Sequence, residues 1–149
     1  MKTIYTAAGE VNKGFIGQIA YTVCLDKTYT ELDVHLQFDK QRIKTPSPEC
    51  ESEIQMLMRE KYGEQIDKVE AAEIAKSMKT EIQLIVQMND TFIGGIHRQM
   101  KDRHLYISSS YATEGAIPQT AIEGVIRIVV IFFNVLCDNT GYTVSLSAG

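Results

Sequence analysis

A chain of 149 residues, 44% apolar and 23% charged, has the size and composition of a single domain with its own core, far from the disordered range. Its net charge of −4, with no run of Lys or Arg, argues against a nucleic-acid partner, which requires a basic stripe to neutralise phosphates. Cys24, Cys50 and Cys137 are widely spaced and form no CxxC pair, so they read as reduced thiols of a cytoplasmic protein, and the first ten residues lack the apolar core of a signal peptide.

In chain order, residues 2–8 form a first predicted strand. Asn12-Lys13-Gly14 suits a three-residue loop with glycine at positive φ. Phe15, Gly17, Ile19, Tyr21, Val23 and Leu25 alternate with more polar residues, and Leu32, Val34, Leu36 and Phe38 alternate again, the period-two pattern of half-buried strands. A turn at Asp26-Lys27 pairs these runs as a hairpin, Phe15 opposite Phe38, with every apolar side chain on one face. Ser47-Pro48 followed by Glu49 and Glu51 starts a helix. Cys50, Ile54, Leu57 and Met58 are its apolar stripe and Gly63 its stop. A connecting helix is predicted over 66–78, opened by an Asp67/Glu70 capping box.

The second half repeats this order. Ile82, Leu84, Val86 and Met88 alternate through a strand over 81–88, and a hairpin turning at Lys101-Asp102 sets Ile96 opposite Ile107. From Pro118 a long helix is predicted to about Cys137, with Asn139 and Gly141 as stop signals and a last strand over 143–146. Residues 125–136 read VIRIVVIFFNVL. A membrane span needs about twenty apolar residues, and Glu123, Arg127 and Asn134 interrupt this one, so no membrane partner is expected. As a helix it has one polar stripe within a sector of about 100°, and its apolar surface, Val125, Val129, Phe132, Phe133 and Leu136, is expected at a homodimer interface.

The chain also repeats itself literally. NKGFIGQI at 12–19 returns as NDTFIGGI at 89–96, and at that offset of 77 eight of the first nineteen positions agree. The expected fold is α+β: one domain over 1–149 made of two related βββα halves, 1–63 and 78–149, an internal duplication with antiparallel sheet backed by helices.

No pattern specifies a reaction. FIGGI is not GxGxxG, SSSYATEGAIP lacks GxxxxGK[ST], and no GxSxG elbow or metal-ligand spacing occurs, so neither cofactor nor metal is expected. The candidate ligand site is a polar sheet face carrying His97, His104 and Tyr106 with Ser108 and Ser110, because neutral imidazole serves as base or ligand near neutral pH. In the predicted hairpin His97 stands opposite Tyr106, whereas His35, between Asp33 and Gln37, reads as a solvated surface histidine. The leading expectation is a non-enzymatic binding or interaction module acting as a homodimer. The alternative is an enzyme or small-molecule sensor with its ligand on the His97/His104/Tyr106 face.

Overall fold

Alternation sets which way each strand faces. In Glu31–Phe38, Leu32, Val34, Leu36 and Phe38 are buried while Glu31, Asp33, His35 and Gln37 face outward; Thr140–Ala148 buries Tyr142, Val144, Leu146 and Ala148 in the same way. The computed structural model describes residues 1–97 and 100–149. Its elements are β1 (Lys2–Val11), β2 (Gly17–Cys24), β3 (Glu31–Phe38), α1 (Pro48–Tyr62), α2 (Lys68–Ser77), β4 (Glu81–Met88), β5 (Thr91–Ile96), β6 (Asp102–Ser108), β7 (Val125–Asn134) and β8 (Thr140–Ala148). The fold is α+β. One antiparallel sheet has the order β1-β8-β3-β6, a second has the order β2-β7-β4-β5, and their inner faces share one apolar core. No described helix is long and apolar enough to cross a membrane.

The strands are where alternation puts them, but their partners differ from expectation. Neither the hairpin at Asp26-Lys27 nor the one at Lys101-Asp102 forms. Beyond β2, Leu25 N donates to Gly124 O (2.8 Å) and Tyr29 bridges to Ile122, which carries the chain across to the other sheet. β2 pairs with β7, and β3 lies between β8 and β6. Among the described connections only β4–β5 stays within one sheet. The correspondence expected at the offset of 77 is not seen in the sheets: β1 and β2 lie in different sheets, whereas β4 and β5, their counterparts at that offset, form a hairpin.

The helix expected from Pro118 is also absent, and residues 125–134 are instead strand β7, central in the second sheet. Eight of its ten residues are β-branched or aromatic, which favours a pleated surface over a helix. Ile126, Ile128, Val130 and Phe132 are fully buried against the first sheet, while Val125, Arg127, Val129, Ile131 and Phe133 form the outward set. Both faces are apolar enough to hide the period of two, so the run resembles a buried helix.

The helix caps, governed by local chemistry, match expectation, although Leu57 of the expected apolar stripe is exposed. Ser47 Oγ accepts from Cys50 N (3.1 Å), Pro48 opens α1, and Gly63 at φ 66° ends it. Asp67 and Glu70 exchange side-chain to backbone hydrogen bonds of 2.8 and 2.9 Å at the start of α2. The two helices pack together in a small second cluster of Cys50, Ile54, Ala71 and Ala75, flanked by Ile43 and Met58.

The β4–β5 turn is pinned to β7. Asn89 and Asp90 both have positive φ, as a two-residue hairpin requires, and Asn89 Oδ1 accepts from Val125 N (2.9 Å) while Nδ2 donates to Glu123 O (3.1 Å). Gly124, at φ 81°, sits so close that a Cβ there would collide with Asn89 Oδ1.

Two stability predictions follow from β7. Urea unfolding should show Phe132→Ala losing about 3–5 kcal/mol and Phe133→Ala, half exposed on the opposite face, less than about 1 kcal/mol. Gly124→Ala should lose about 2 kcal/mol through left-handed strain and displacement of Asn89, and an Asn89→Ala background should reduce that loss, giving a non-additive double-mutant cycle.

Candidate functional site

The pairing of β3 with β6 sets His35 directly opposite His104 on the outward face of the first sheet. The rings stack at 4.1 Å between centroids and 5° between planes. Asp33 lies two residues before His35 and Asp102 two residues before His104, so period two puts both carboxylates on the same face. Antiparallel pairing then places each carboxylate diagonal to the other strand's histidine. His35 Nε2 is 2.8 Å from Asp102 Oδ1, His104 Nδ1 is 2.8 Å from Asp33 Oδ2, and His104 Nε2 is 3.8 Å from Asp102 Oδ1.

The two carboxylates are not equivalent. The Asp33 side chain is only 15% exposed; accepting the Nδ1–H of His104, it holds that ring in the tautomer whose Nε2 lone pair is free, an arrangement that orients metal-bound histidines. Asp102 is 57% exposed and stands between the two Nε2 atoms. One donor atom each from His35, Asp102 and His104 lies within 4.8 Å of the others. A tetrahedral metal with bonds of about 2.0–2.2 Å spaces its ligand atoms about 3.3 Å apart, within the span these three already occupy. Parallel rings direct their lone pairs side by side, so ligation of one ion requires the rings to turn toward each other, and His104, the more exposed of the two, has the room to do so.

Tyr106 extends the face. Its hydroxyl donates to Glu31 Oε2 (2.7 Å), and that carboxylate, with a smaller contribution from burial, raises the phenol above its ordinary range and keeps it protonated. Between Asp102 and His104, Arg103 points the other way and is buried. Its Nε donates to Met100 O (2.6 Å), its guanidinium lies over Phe38 at 5.7 Å, and among the described residues both Nη atoms lack partners. Burial lowers its pKa to about 10, so it stays charged at neutral pH.

Of the predicted site residues, His104, Tyr106 and Ser108 share the outward face of β6. His97 follows β5 at the other sheet, where its Nδ1 is 2.7 Å from Gln83 Oε1, so the expected pairing with Tyr106 fails. Ser110 belongs to the turn after β6. His97 and His104 nonetheless both line one cavity of about 390 Å³, with Met100, Arg103 and Thr113. Asp33, His35 and Asp102 were missed as site residues. Their signal was present as the pattern Asp-x-His in two strands, Asp33-Val34-His35 and Asp102-Arg103-His104. Of the predicted interface residues, Val125 and Phe133 are exposed on the outward face of the second sheet, whereas Val129, Phe132 and Leu136 are buried within the chain and unavailable to a partner.

No curated protein and no solved structure matches this chain. A family model matches residues 1–148, and the chain thus belongs to DUF6669, a family of unknown function.

Proposed function

We propose that the chain is a binding protein for a first-row divalent metal ion, ligated by His35 Nε2, His104 Nε2 and Asp102 Oδ1, with Asp33 orienting His104. The observation that carries this reading is the facing pair of Asp-x-His strands, which gathers three donor atoms within 4.8 Å. Two imidazoles and a carboxylate suit zinc, nickel, copper or iron, whereas magnesium and calcium select all-oxygen sets. Three protein ligands leave at least one coordination position open toward solvent. The donors stand on adjacent strands rather than on loops, so the backbone positions that carry them are fixed before metal arrives. The competing account is a surface ladder of imidazolium–carboxylate pairs, which contributes little to stability and takes up no metal.

Calorimetric titration of the purified chain with zinc chloride separates the two. One ion should bind per chain, His35→Ala and His104→Ala should each weaken binding by at least about a hundredfold, and Asp33→Asn should weaken it by about tenfold. His97→Ala, outside the cluster, should bind as the parent does. Uptake that survives loss of both His35 and His104, or no uptake by the parent chain, overturns the metal reading.

A further inference from the structure

After β3 the chain reads DKQRIK over 39–44, with a cation at every second position. The segment is anchored through its other positions: Gln41 O accepts from Thr80 N (2.7 Å), and Ile43 packs into the α1–α2 cluster. Lys40, Arg42 and Lys44 are left to line a cavity of about 540 Å³. Lys101 joins them from the connection before β6, because its carbonyl accepts from Phe38 N (2.9 Å) and holds that connection against the end of β3. Four of the chain's 15 lysines and arginines thus converge on one cleft, although the chain carries −4 overall.

These charges are not neutralised in place. Lys40 Nζ donates to the carbonyls of Asp138 and Asn139 (2.8 and 2.9 Å), and Arg42 Nη1 to those of Lys76 and Ser77 (3.2 and 3.0 Å). Neutral acceptors position both side chains and leave their charge and remaining donors available. Among the described residues neither Lys44 nor Lys101 makes an ion pair. The lining contains one carboxylate, Asp39, which accepts from Gly141 N (3.0 Å), and one thiol, Cys137, whose pKa burial raises, so it stays neutral.

We infer that this cleft binds a small phosphate-bearing molecule, with Lys40, Arg42, Lys44 and Lys101 gripping the phosphate oxygens. Three or four cations against one carboxylate suit an anion carrying at least two charges, and a guanidinium with an unused edge fits phosphate geometry. The cavity volume falls within the range of about 300–1,000 Å³ typical of small-ligand pockets. Nucleic acid fits less well, because the cations gather at one point and the acidic remainder repels a polyanion. A second cavity shares Asp39 and Lys101 with this cleft and is also lined by Asp102 of the proposed metal cluster, but the inference does not depend on metal.

The test is calorimetric titration of the chain with sodium pyrophosphate at low salt, in the presence of EDTA. Pyrophosphate should bind one to one. Lys44→Gln and Lys101→Gln should each weaken binding by about tenfold, while Lys61→Gln on α1 leaves it unchanged. Lys44 and Lys101 are exposed, and an unchanged far-ultraviolet circular dichroism spectrum shows that these variants fold. No binding by the parent chain, or binding insensitive to Lys44 and Lys101, overturns the inference. Binding that appears only when zinc replaces EDTA assigns the anion to the metal and also overturns it. A single-stranded oligonucleotide that binds more tightly than pyrophosphate, with the same dependence on Lys44 and Lys101, makes the cleft a nucleic-acid contact instead.

Discussion

The register of β3 is the constraint on which both proposed sites rest. The strand is hydrogen-bonded on both edges, to β8 and to β6, and Leu32, Val34 and Leu36 on its inner face are completely buried. A slip by one residue would turn Asp33 and His35 into the core and Leu32, Val34 and Leu36 into solvent. Burying an unpaired carboxylate costs several kcal/mol, and each expelled leucine or valine forfeits about 1.5–3 kcal/mol. The core therefore determines which residue of β6 stands opposite His35. It also determines where β3 ends, and Phe38, its last inward residue, is where the cationic segment begins. A hydrophobic pattern thus positions polar chemistry on the opposite face.

β6 supports the same alternation with an unusual residue. Arg103 occupies an inward position where Leu105 and Ile107 follow, and it is nearly as buried as they are. Desolvating a guanidinium is unfavourable, as its lowered pKa records. One short hydrogen bond to Met100 O and the ring of Phe38 offset part of that penalty. Because Arg103 turns inward, its neighbours Asp102 and His104 are obliged to turn outward. The buried cation and the exposed donors are two consequences of one pleat.

What the sequence made legible was local. Ser47, Pro48 and Gly63 delimit α1 through bonds within one turn, and the Asp67/Glu70 box does the same for α2. Alternation revealed β3, β4 and the inner face of β2 because each strand carries its own polar side. Strand partners were not legible, since any two half-apolar strands satisfy the same facing rule. β7 was misread for a related reason: buried in the sheet on both edges, it is apolar on both faces, and only its β-branched content distinguished it from a helix. The repeated FIG motif was misleading in a different way. Gly94 is packed so closely that a Cβ would meet Ala116 at 2.8 Å, whereas Gly17 is needed for its positive φ of 157°, and a Cβ there would meet Phe15 no closer than 3.4 Å. Identical residues serve different neighbours, so the repeated motif does not by itself establish a repeated structure. The histidine cluster left only its two Asp-x-His patterns in the sequence, because its partners lie 67 and 71 residues apart and only a strand pairing unknown in advance brings them together.

The adjacency of the two sites has an electrostatic consequence. Lys101 lines the cationic cleft and Asp102 belongs to the donor cluster, and they are consecutive residues at the mouth of one shared cavity. A divalent ion at the cluster adds positive charge beside an already cationic cleft, so on its own it is opposed by Lys101 and favoured by Asp33 and Asp102. An anion in the cleft reverses the first of these effects. Coulomb energy between groups at such separations is screened over about 8 Å at physiological ionic strength, so the coupling is greatest for a ligand that reaches from one site toward the other. Linkage makes it reciprocal: whatever factor the anion adds to metal affinity, the metal adds to anion affinity. With both proposed sites filled, a metal with an open coordination position and a phosphate held by lysine and arginine would form complementary halves of one surface that meets at the end of β3.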